Sequence, residues 1–536
     1  MPAESRFDHF AKSFLGLGRK DRVLGGGSER RVYLDTTATA LMPEVVWRGL
    51  EDYFQVACAN SHTEAHRAGR DTTRAIEDSR DAIGRLVGYQ PERDVVLFTA
   101  NGATGAANFL ARALFPSELR SVLKRFPAGP PPELLRALGA GLSDSGRAVL
   151  DEMVARPLVV VTTMEHHSNL IPWMEAVGHH NLRAARVDPV TGALDLADLE
   201  RILEQEGQRV RLVAVTGVSN VTGIVNPVHQ IARQAHAVGA QILVDGAQWV
   251  PHARVEMHSA DPAASLDYLV LSGHKLYAPG SRGALIGSLE TLSGRRCVTD
   301  VGGGMVEYVT LQDFELKDDV TAREEAGTPN IPGSIAMGLV AEALLLIGMD
   351  EVAEREHRLT EKLVRRLERV PGIRIYGSTD LERYPRAGVV SFNIQGLHHG
   401  LVAAYLNDFH DIAVRDGCFC AHPYVKALLR VDDQTEACYR QEMLCGDRRN
   451  VPGMVRASLG VYSTEDDVEA LGSALEQLVQ RADEMVRRYF GDRDGTFRLS
   501  DAPPLPGNFT VADEVERWLG AKLPAEARGA GAVAGA

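Results

Sequence analysis

The sequence predicts an α/β protein in which a large domain with a mainly parallel sheet is followed by a smaller α+β domain. Short apolar strands alternate with amphipathic helical patterns through roughly the first 290 residues, which is the order expected of βαβ units. The predicted strands are apolar on both faces, as a sheet covered by helices on both sides requires. Further strands and helices follow toward the C-terminal end, and they indicate the second domain.

Each element rests on a local pattern. Six strands of the large domain are predicted, at residues 95–99, 158–162, 212–216, 241–244, 268–271 and 284–287. Helices between them are predicted where apolar residues recur near i, i+3, i+4 and i+7, at residues 74–87, 104–114, 196–205 and 228–238. The smaller domain is expected to contain helices at 335–346 and 350–369 and strands at 373–376 and 388–394.

The chain divides into four predicted parts, which are an N-terminal segment (1–36), the large domain (37–315), the small domain (316–485) and a C-terminal extension (486–536). The large domain contains a connection at 115–157 that is too long for an ordinary αβ loop, so we expect it to hold one or two helices. The extension is expected to form a short helix at 511–519 and to end in a disordered Gly/Ala tail.

Composition limits the classes of function. Acidic residues outnumber basic ones 72 to 58 for a net charge of −14, and 45% of the residues are hydrophobic, as in an ordinary soluble protein. The absence of basic clusters argues against nucleic acid as a partner. No apolar run approaches the ~18 residues of a membrane span, and the charged start does not resemble a signal peptide. We therefore expect a cytoplasmic protein without a membrane partner.

The six cysteines are too sparse for a disulfide scaffold and show no Cys-x-x-Cys spacing, so no metal site is predicted. They lie at positions Cys58, Cys297, Cys418, Cys420, Cys438 and Cys445. Four of them fall between residues 418 and 445, and in a reducing compartment such a cluster indicates either a reactive thiol or chance.

Asp245 and Lys275 are the residues that first indicate chemistry. Asp245 ends one predicted strand and Lys275 follows the end of another, so both can reach the crevice where open α/β sheets bind ligands. A lysine that forms a Schiff base and an aspartate that pairs with a pyridinium nitrogen are what pyridoxal phosphate needs. The spacing alone is equally compatible with a solvated lysine and an aspartate that caps a turn.

A series of motifs in one order resembles class V, fold-type I pyridoxal phosphate enzymes, most closely the cysteine desulfurase and selenocysteine lyase group. The motifs are YLDTTATA (33–40), NGATGAAN (101–108), MEHHSNLIPW (164–173), VTGVSNVTG (215–223), VDGAQ (244–248), SGHKLY (272–277), EAGTPN (325–330), RDGCFCAHP (415–423) and VRASLGVYST (455–464). The resemblance spans about residues 31 to 485 and implies a seven-stranded, mainly parallel sheet.

The resemblance implies that pyridoxal 5'-phosphate is bound by residues from several of these motifs. Lys275 would form the Schiff base, Asp245 would face the ring nitrogen, and His166 would stack on the ring and relay protons. The remaining cofactor-binding residues implied are Asn220 and Gln248 at the phenolic oxygen, and Ala103, Thr104, Ser272 and His274 at the phosphate. The free N–H groups at the start of the helix after Asn101 suit a phosphate on physical grounds as well.

Other residues are implied to bind the substrate and to join two subunits. Arg456 matches the arginine that binds the α-carboxylate of an amino acid, where its planar fork allows bidentate recognition. Asn60, His62 and His66 resemble a segment that lines the active site. Thr328 matches a residue that reaches the phosphate of the neighbouring subunit, so the family pattern implies a homodimer with composite sites.

Cys420 decides which reaction the resemblance implies. It matches the cysteine of the desulfurases, which takes sulfur from the substrate as a persulfide and leaves alanine, with a sulfur-acceptor protein as a possible partner. Cys418 stands where many desulfurases have a histidine, so either thiol could serve, although the pattern favours Cys420. Cys438 and Cys445 lie in an insertion at 424–455 and are expected to be inert or surface thiols, while Cys58 and Cys297 are expected to pack.

The predicted function is therefore a cysteine desulfurase-like enzyme that acts on L-cysteine or a related thiol amino acid. A C–S lyase, aminotransferase or epimerase of the same fold, in which the cysteines are not catalytic, stays open as the alternative. The two insertions, 115–157 and 424–455, lie near a family active-site entrance and could reshape substrate access or form a docking surface for the sulfur acceptor.

Overall fold

A computed structural model describes residues 5–24, 26–115, 120, 125–126, 131–141, 144–293, 300–503, 507 and 509–520. The predicted disordered tail and Cys297 lie outside these residues. The structure is of the α/β class and is organised around two sheets of unequal size.

The larger sheet has seven strands, and its order confirms the predicted architecture. From one edge to the other the strands are Asp94–Thr99, Gly283–Ser288, Tyr268–Ser272, Gln241–Asp245, Val210–Thr216, Leu158–Thr162 and Leu182–Ala185. Gly283–Ser288 is antiparallel to both of its neighbours, and the pairings among the last five strands are parallel. The edge strand Leu182–Ala185 was not predicted, because it is short and only partly buried.

Alternate residues of each strand enter two separate apolar clusters, one on each face of the sheet. Leu243 packs in one cluster and Val244 in the other, and both are fully buried. This burial on both faces is the reason why the strands read as continuous apolar runs in the sequence.

The helices cover both sheets. Their bounds are Arg6–Lys12, Glu44–Val56, Arg67–Leu86, Gly102–Leu114, Pro132–Gly139, Asp144–Ala155, Ile171–Val177, Leu196–Glu206, Val228–Ala237, Leu289–Ser293, Val320–Glu324, Ile331–Ile347, Met349–Glu368, His399–His410, His422–Leu429, Asp433–Leu444, Glu465–Gln480, Ala482–Arg488 and Val511–Leu519. Among the described residues, no single helix is long and apolar enough to cross a membrane. Ile331–Ile347 and Met349–Glu368 meet that criterion only as a pair, which is bent by 82°.

The smaller sheet has four antiparallel strands in the order Ile373–Ile375, Val389–Ile394, Met454–Ser458 and Arg415–Gly417. The last two were not predicted as strands, because each contains charged or glycine residues in a short run. Short paired strands elsewhere are Lys20–Arg22 with Ser28–Arg30, Val32–Tyr33 with Ile412–Ala413, Val306–Val309 with Phe314–Leu316, and Tyr489–Gly491 with Phe497–Leu499.

The two insertions and the extension contain structure of their own. The connection at 115–157 holds the helices Pro132–Gly139 and Asp144–Ala155, and the insertion at 424–455 holds Asp433–Leu444. The extension pairs two strands, and its predicted helix is present at Val511–Leu519. The domain boundaries at residues 36, 315 and 485 stay predictions.

Candidate active site

A cavity of about 270 Å³ lies where the strands Gln241–Asp245 and Tyr268–Ser272 end. This is the carboxyl edge of the parallel sheet, the place where open α/β sheets bind ligands. Ten of the predicted site residues line the cavity, namely Lys275, Cys420, His166, Asp245, Asn220, Ser272, His274, Ala103, Thr104 and Arg456. The described residues hold no group of three or more His, Cys, Asp or Glu side chains that could bind a metal ion.

Lys275 and Asp245 reach the cavity from neighbouring strands. Asp245 is 4% exposed, and its Oδ1 accepts a hydrogen bond from the N–H of Ala247 at 3.0 Å. Burial raises the pKa of Asp245, while the nearby Lys275 opposes that shift. Burial lowers the pKa of Lys275, with Asp245 again opposing it. The lowered pKa favours the unprotonated amine, which is the form that attacks a carbonyl carbon.

The start of the helix Gly102–Leu114 forms one wall. Asn101 provides no side-chain cap, so the first turn keeps N–H groups available for an anion. The N–H of Ala103 donates to Ser272 Oγ at 2.8 Å, and Thr104 Oγ1 lies 2.6 Å from Ser168 Oγ. Gly102 has φ +65°, and a Cβ there would lie 2.7 Å from Ser272 Oγ. A side chain at this position would therefore collide with Ser272 and strain the backbone, so glycine is required.

His166 is held as a neutral imidazole. Its Nδ1 accepts a hydrogen bond from the N–H of Ser168 at 3.1 Å, so in the neutral ring the proton is on Nε2. Burial lowers the pKa of His166 to about 3, helped by the positive charges of Lys275 and Arg456. His166 therefore lines the cavity as an uncharged ring that carries its proton on Nε2.

The two predicted amides are both occupied by contacts within the chain. Asn220 donates from Nδ2 to the carbonyl of Phe419 at 2.7 Å. Gln248 does not line the cavity, and its Nε2 donates to the carbonyl of Thr37, which does line it, at 2.9 Å. Gln248 Oε1 is buried without a partner among the described atoms. His274 lines the cavity as a largely uncharged ring, because burial lowers its pKa to about 4.

Three contacts hold the side chain of Arg456 in place. Its Nη1 donates to the carbonyl of Asn220 at 2.9 Å, and its Nη2 lies 3.2 Å from Asp35 Oδ1. The guanidinium also lies 4.7 Å from the centre of the Phe419 ring. Burial lowers the pKa of Arg456 to about 10, and Asp35 opposes that shift, so the side chain stays cationic at neutral pH. Its Nε is buried without a partner among the described atoms.

Cys420 is exposed and lines the cavity, whereas Cys418 is half-buried. Phe419 and Cys420 both have left-handed backbones, with φ +53° and +55°. Cys418 donates its S–H to the carbonyl of Pro452, with 3.0 Å between the atoms, and burial raises its pKa to about 11. A protonated thiol is a poor nucleophile, so the structure favours Cys420 over Cys418 as the reactive thiol.

Some predicted residues do not line the cavity of this chain. Thr328, Asn60 and His62 are exposed on the surface, and His66 caps the helix Arg67–Leu86 by accepting the N–H of Gly69 on Nδ1. The role of Thr328 stays a prediction that depends on a second subunit, and the roles of Asn60, His62 and His66 as residues that line the active site also stay predictions. Cys58 is exposed, which corrects the expectation that it packs, while Cys438 and Cys445 are exposed as predicted.

Several residues that line the cavity, or that contact residues lining it, were not assigned from the sequence. Thr37 and Ala38 line the cavity within the YLDTTATA motif, but the motif gave no reason to choose them. Asp35, in the same motif, pairs with Arg456, which lies 421 residues later in the chain. Ser168 stands two residues after His166, and this spacing is the one local signal for its contact with Nδ1.

The pocket fits pyridoxal phosphate. It combines a buried carboxylate, a lysine with a lowered pKa, and an uncapped helix start beside a glycine. These groups match the ring nitrogen, the aldehyde carbon and the phosphate, respectively.

Comparisons with known proteins agree with this geometry. The model of the family "Aminotransferase class-V" matches residues 32–122 and 147–471. A probable cysteine desulfurase of Halalkalibacterium halodurans is 32% identical over 461 residues, which cover 86% of this chain and 94% of the relative. A cysteine desulfurase of Dickeya dadantii is 32% identical over 448 residues, which cover 83% of this chain and 91% of that protein.

Solved structures give the same result. The apo structure of a cysteine desulfurase from Thermococcus onnurineus NA1 superposes with a TM-score of 0.65 and 30% identity, covering 84% of this chain and 95% of that one. A cysteine desulfurase from Escherichia coli, at 24% identity and a TM-score of 0.65, shares the fold over 88% of this chain and 98% of its own. The chain belongs to the aminotransferase class-V family, whose enzymes use pyridoxal phosphate.

Proposed function

We propose that this protein is a pyridoxal phosphate-dependent cysteine desulfurase that transfers the sulfur of L-cysteine, or of a related thiol amino acid, to Cys420. The observation that carries the proposal is that one cavity brings Lys275, Asp245 and His166 together with an exposed cysteine. A cysteine on its own would be compatible with many activities, whereas a nucleophile at a pyridoxal phosphate site selects the substrate bond.

The chain's residues would hold the cofactor at its two ends. Asp245 and Lys275 would hold the ring nitrogen and the aldehyde, and the start of the helix Gly102–Leu114 with Ser272 would hold the phosphate. When bound, pyridoxal phosphate supplies an electron sink for the bonds at the substrate's α-carbon. His166 can place a neutral N–H donor against it, because burial keeps the ring uncharged.

Arg456 and Cys420 would act on the substrate. The guanidinium of Arg456 would bind the α-carboxylate and so orient the amino acid. The Cys420 thiolate would attack the substrate sulfur, which forms an S–S bond and breaks the carbon–sulfur bond. The electron pair of the broken bond stays with carbon and takes up a proton, so the products are alanine and a persulfide on Cys420.

The proposal is tested with purified protein reconstituted with pyridoxal phosphate. We expect a visible absorption band that is lost in Lys275→Ala, and formation of alanine from cysteine. Mass spectrometry of tryptic peptides should find the cysteine-derived sulfur on Cys420. A protein that binds the cofactor and releases pyruvate or a transaminated product instead of alanine would support the lyase or aminotransferase alternative.

We further propose that the active protein is a homodimer. The helix Glu44–Val56 exposes large apolar side chains, as does the hairpin at 306–316. They are Val45, Trp47, Phe54 and Val56 on the helix, and Tyr308, Val309, Leu311 and Phe314 on the hairpin. Apolar surface of this extent is typical of protein interfaces. A second subunit would also give Thr328 the neighbour that its proposed role requires.

We also propose where the protein works and what accepts its sulfur. The protein would work in the cytoplasm, as the free thiols of the described cysteines suit a reducing compartment. It would pass the persulfide sulfur to an acceptor protein rather than to a nucleic acid or a membrane component, in line with its net charge of −14.

A further inference from the structure

Two histidines that the proposed chemistry does not use, His167 and His422, lie together next to Cys420. The rings of His167 and His422 are stacked, with 4.9 Å between their centres and 4° between their planes. Their facing nitrogens, His422 Nδ1 and His167 Nε2, lie 3.0 Å apart. The backbone N–H of His167, not its ring, donates to the carbonyl of Cys420 at 2.7 Å, so the backbone that carries one ring of the pair is bonded directly to the backbone of the reactive cysteine.

The hydrogen bonds fix where the protons are. His167 Nε2 also faces the backbone N–H of His422, at 3.4 Å, so it accepts from the first turn of the helix His422–Leu429. An acceptor nitrogen carries no proton, and therefore His422 Nδ1 must be the donor across the 3.0 Å contact. The lone pair of His167 also complements the positive end of this helix. The arrangement requires His167 to be neutral.

The turn at Phe419 and Cys420 has an unfavourable backbone conformation, so contacts from other segments must hold it in place. Phe419 and Cys420 both have left-handed backbones, a conformation that is unfavourable for a residue other than glycine. On one side, Asn220 binds the Phe419 carbonyl and Arg456 lies against the Phe419 ring. On the other side, the contacts from His167 hold Cys420 and the helix that follows it.

We propose that His422, stacked on His167, is a positioning residue that keeps the Cys420 turn closed over the cavity, and that a proton on this imidazole pair opens the turn. The inference rests on the proposed desulfurase function, because it concerns the delivery of the Cys420 thiolate to the substrate sulfur. A thiol that attacks from a fixed position reacts faster than one on a mobile loop, since the orientation is already established.

The charges around the pair set the direction of the pH effect. His167 is faced by His422 and by the ring of His166, 6.3 Å away, and His422 is faced by His167 and Arg448. Burial lowers the pKa of both imidazoles, with His422 adding to the shift of His167 and Arg448 to that of His422. The closed turn is thus present above the ordinary histidine pKa of about 6.5, and it is lost as the pH falls through the lowered values.

The experiment compares three variants of the full-length holoenzyme with a control. His422→Ala removes the stack and the donor, His422→Phe keeps a stacked ring without a donor, and His422→Asn keeps a donor without a stack. His357→Gln, at an exposed position on the helix Met349–Glu368, is the control. The measurements are kcat and KM for alanine formation from pH 5 to 8, and the absorbance of the bound cofactor.

For His422→Ala we expect kcat to fall about tenfold while KM and cofactor absorbance stay unchanged, since the turn moves and the pocket does not. We expect kcat of the wild type to fall below about pH 6.5, and His422→Phe should recover part of kcat and should not show this acid fall. Wild-type kcat and an unchanged acid profile in His422→Ala would overturn the proposal. So would a loss of cofactor absorbance in parallel with kcat, which would indicate general disruption.

A second measurement does not depend on turnover. Hydrogen exchange of the His167 amide, followed by mass spectrometry in cofactor-free and loaded protein, reports the bond to the Cys420 carbonyl directly. We expect at least tenfold faster exchange in His422→Ala. In the wild type we expect exchange at pH 5.5 to be faster than at pH 7.5 by up to about tenfold after correction for the intrinsic rate, which is the limit for one proton and a pKa of about 6.5 in the open turn. Equal exchange in all variants would refute the positioning role. Failure of alanine formation in the wild type would instead refute the proposed function.

Discussion

Arg456 and Asp35 form an ion pair at the wall of the cavity, with 3.2 Å between Nη2 and Oδ1. Both side chains are largely shielded, at 3% and 17% exposed, and the Nε of Arg456 has no partner among the described atoms. The arginine that we propose to bind the substrate is therefore already bound to a carboxylate, which a substrate carboxylate would have to share or displace.

Asp35→Asn should lower KM for cysteine about threefold, because the amide no longer competes as an anion for the guanidinium. The free energy of unfolding should fall by about 2 kcal/mol, since Arg456 loses its nearest negative charge. Steady-state kinetics and urea unfolding measure the two effects. Arg456→Lys is the matched variant, and it should raise KM about tenfold because lysine lacks the bidentate fork. A rise of KM in Asp35→Asn would show that Asp35 does not compete with the substrate carboxylate for Arg456.

Cys420→Ser should abolish persulfide formation and lower alanine production by at least about 100-fold, with cofactor absorbance retained. Cys418→Ser should keep most of the activity, because the Cys418 thiol donates to the Pro452 carbonyl and burial raises its pKa to about 11. Alkylation of the persulfide followed by peptide mapping shows whether the sulfur is on Cys418 or on Cys420. Persulfide on Cys418 in the wild type would reverse the assignment.

Gly102→Ala should weaken cofactor binding by at least about tenfold. The new Cβ would meet Ser272 Oγ at 2.7 Å, and the φ of +65° is costly for alanine. Titration of the apoprotein with pyridoxal phosphate measures the effect. Gly139→Ala is a suitable control, because a Cβ added at Gly139 would have nothing within 4 Å. Equal affinity in both variants would exclude the start of the helix as the phosphate site.

His398 should contribute to the loss of stability in acid. Burial lowers its pKa to about 4, and its Nδ1 accepts the N–H of Gly400 at the start of the helix His399–His410. An imidazole with a lowered pKa stabilises the fold above the unfolded value of about 6.5, and that contribution is lost as the pH falls toward 4. His398→Asn, which can still cap the helix, should therefore show a smaller drop in urea midpoint between pH 7 and pH 4.5. An unchanged drop would assign the acid sensitivity to other groups.

Trp47→Glu combined with Phe54→Glu should convert a dimer into monomers. Both side chains are more than half exposed on the helix Glu44–Val56, and a charge there would be costly to bury in an interface. Analytical ultracentrifugation gives the oligomeric state, and activity should fall with dimer content if the sites are composite. Val190→Glu, at an exposed position on a turn, is the control. A wild-type protein that sediments as a monomer would remove the basis of this prediction.

The positions of Asp245 and Lys275 were predictable because strand ends carry a local signal. An apolar run that stops at a charged residue identifies the end of a buried strand, and parallel strands bring such ends to one edge of the sheet. The ordered motifs similarly led to Cys420, His166 and Arg456, all of which line one cavity.

The partners of those residues were not predictable. Asp35 meets Arg456 across 421 positions, and His167 meets His422 across 255, so no periodicity or spacing connects them. Likewise, the sequence left Cys418 and Cys420 as alternatives, because two thiols two residues apart look alike without knowledge of burial.

The sequence by itself determined the α/β class and the order of the motifs, since these depend on local hydrophobic patterns and residue chemistry. Tertiary structure alone decided which thiol is exposed, which carboxylate pairs with Arg456 and which imidazoles lie together beside the cysteine turn. The physical reason is that ionisation and reactivity depend on burial and on neighbouring charges, and these are set by contacts between segments far apart in the chain.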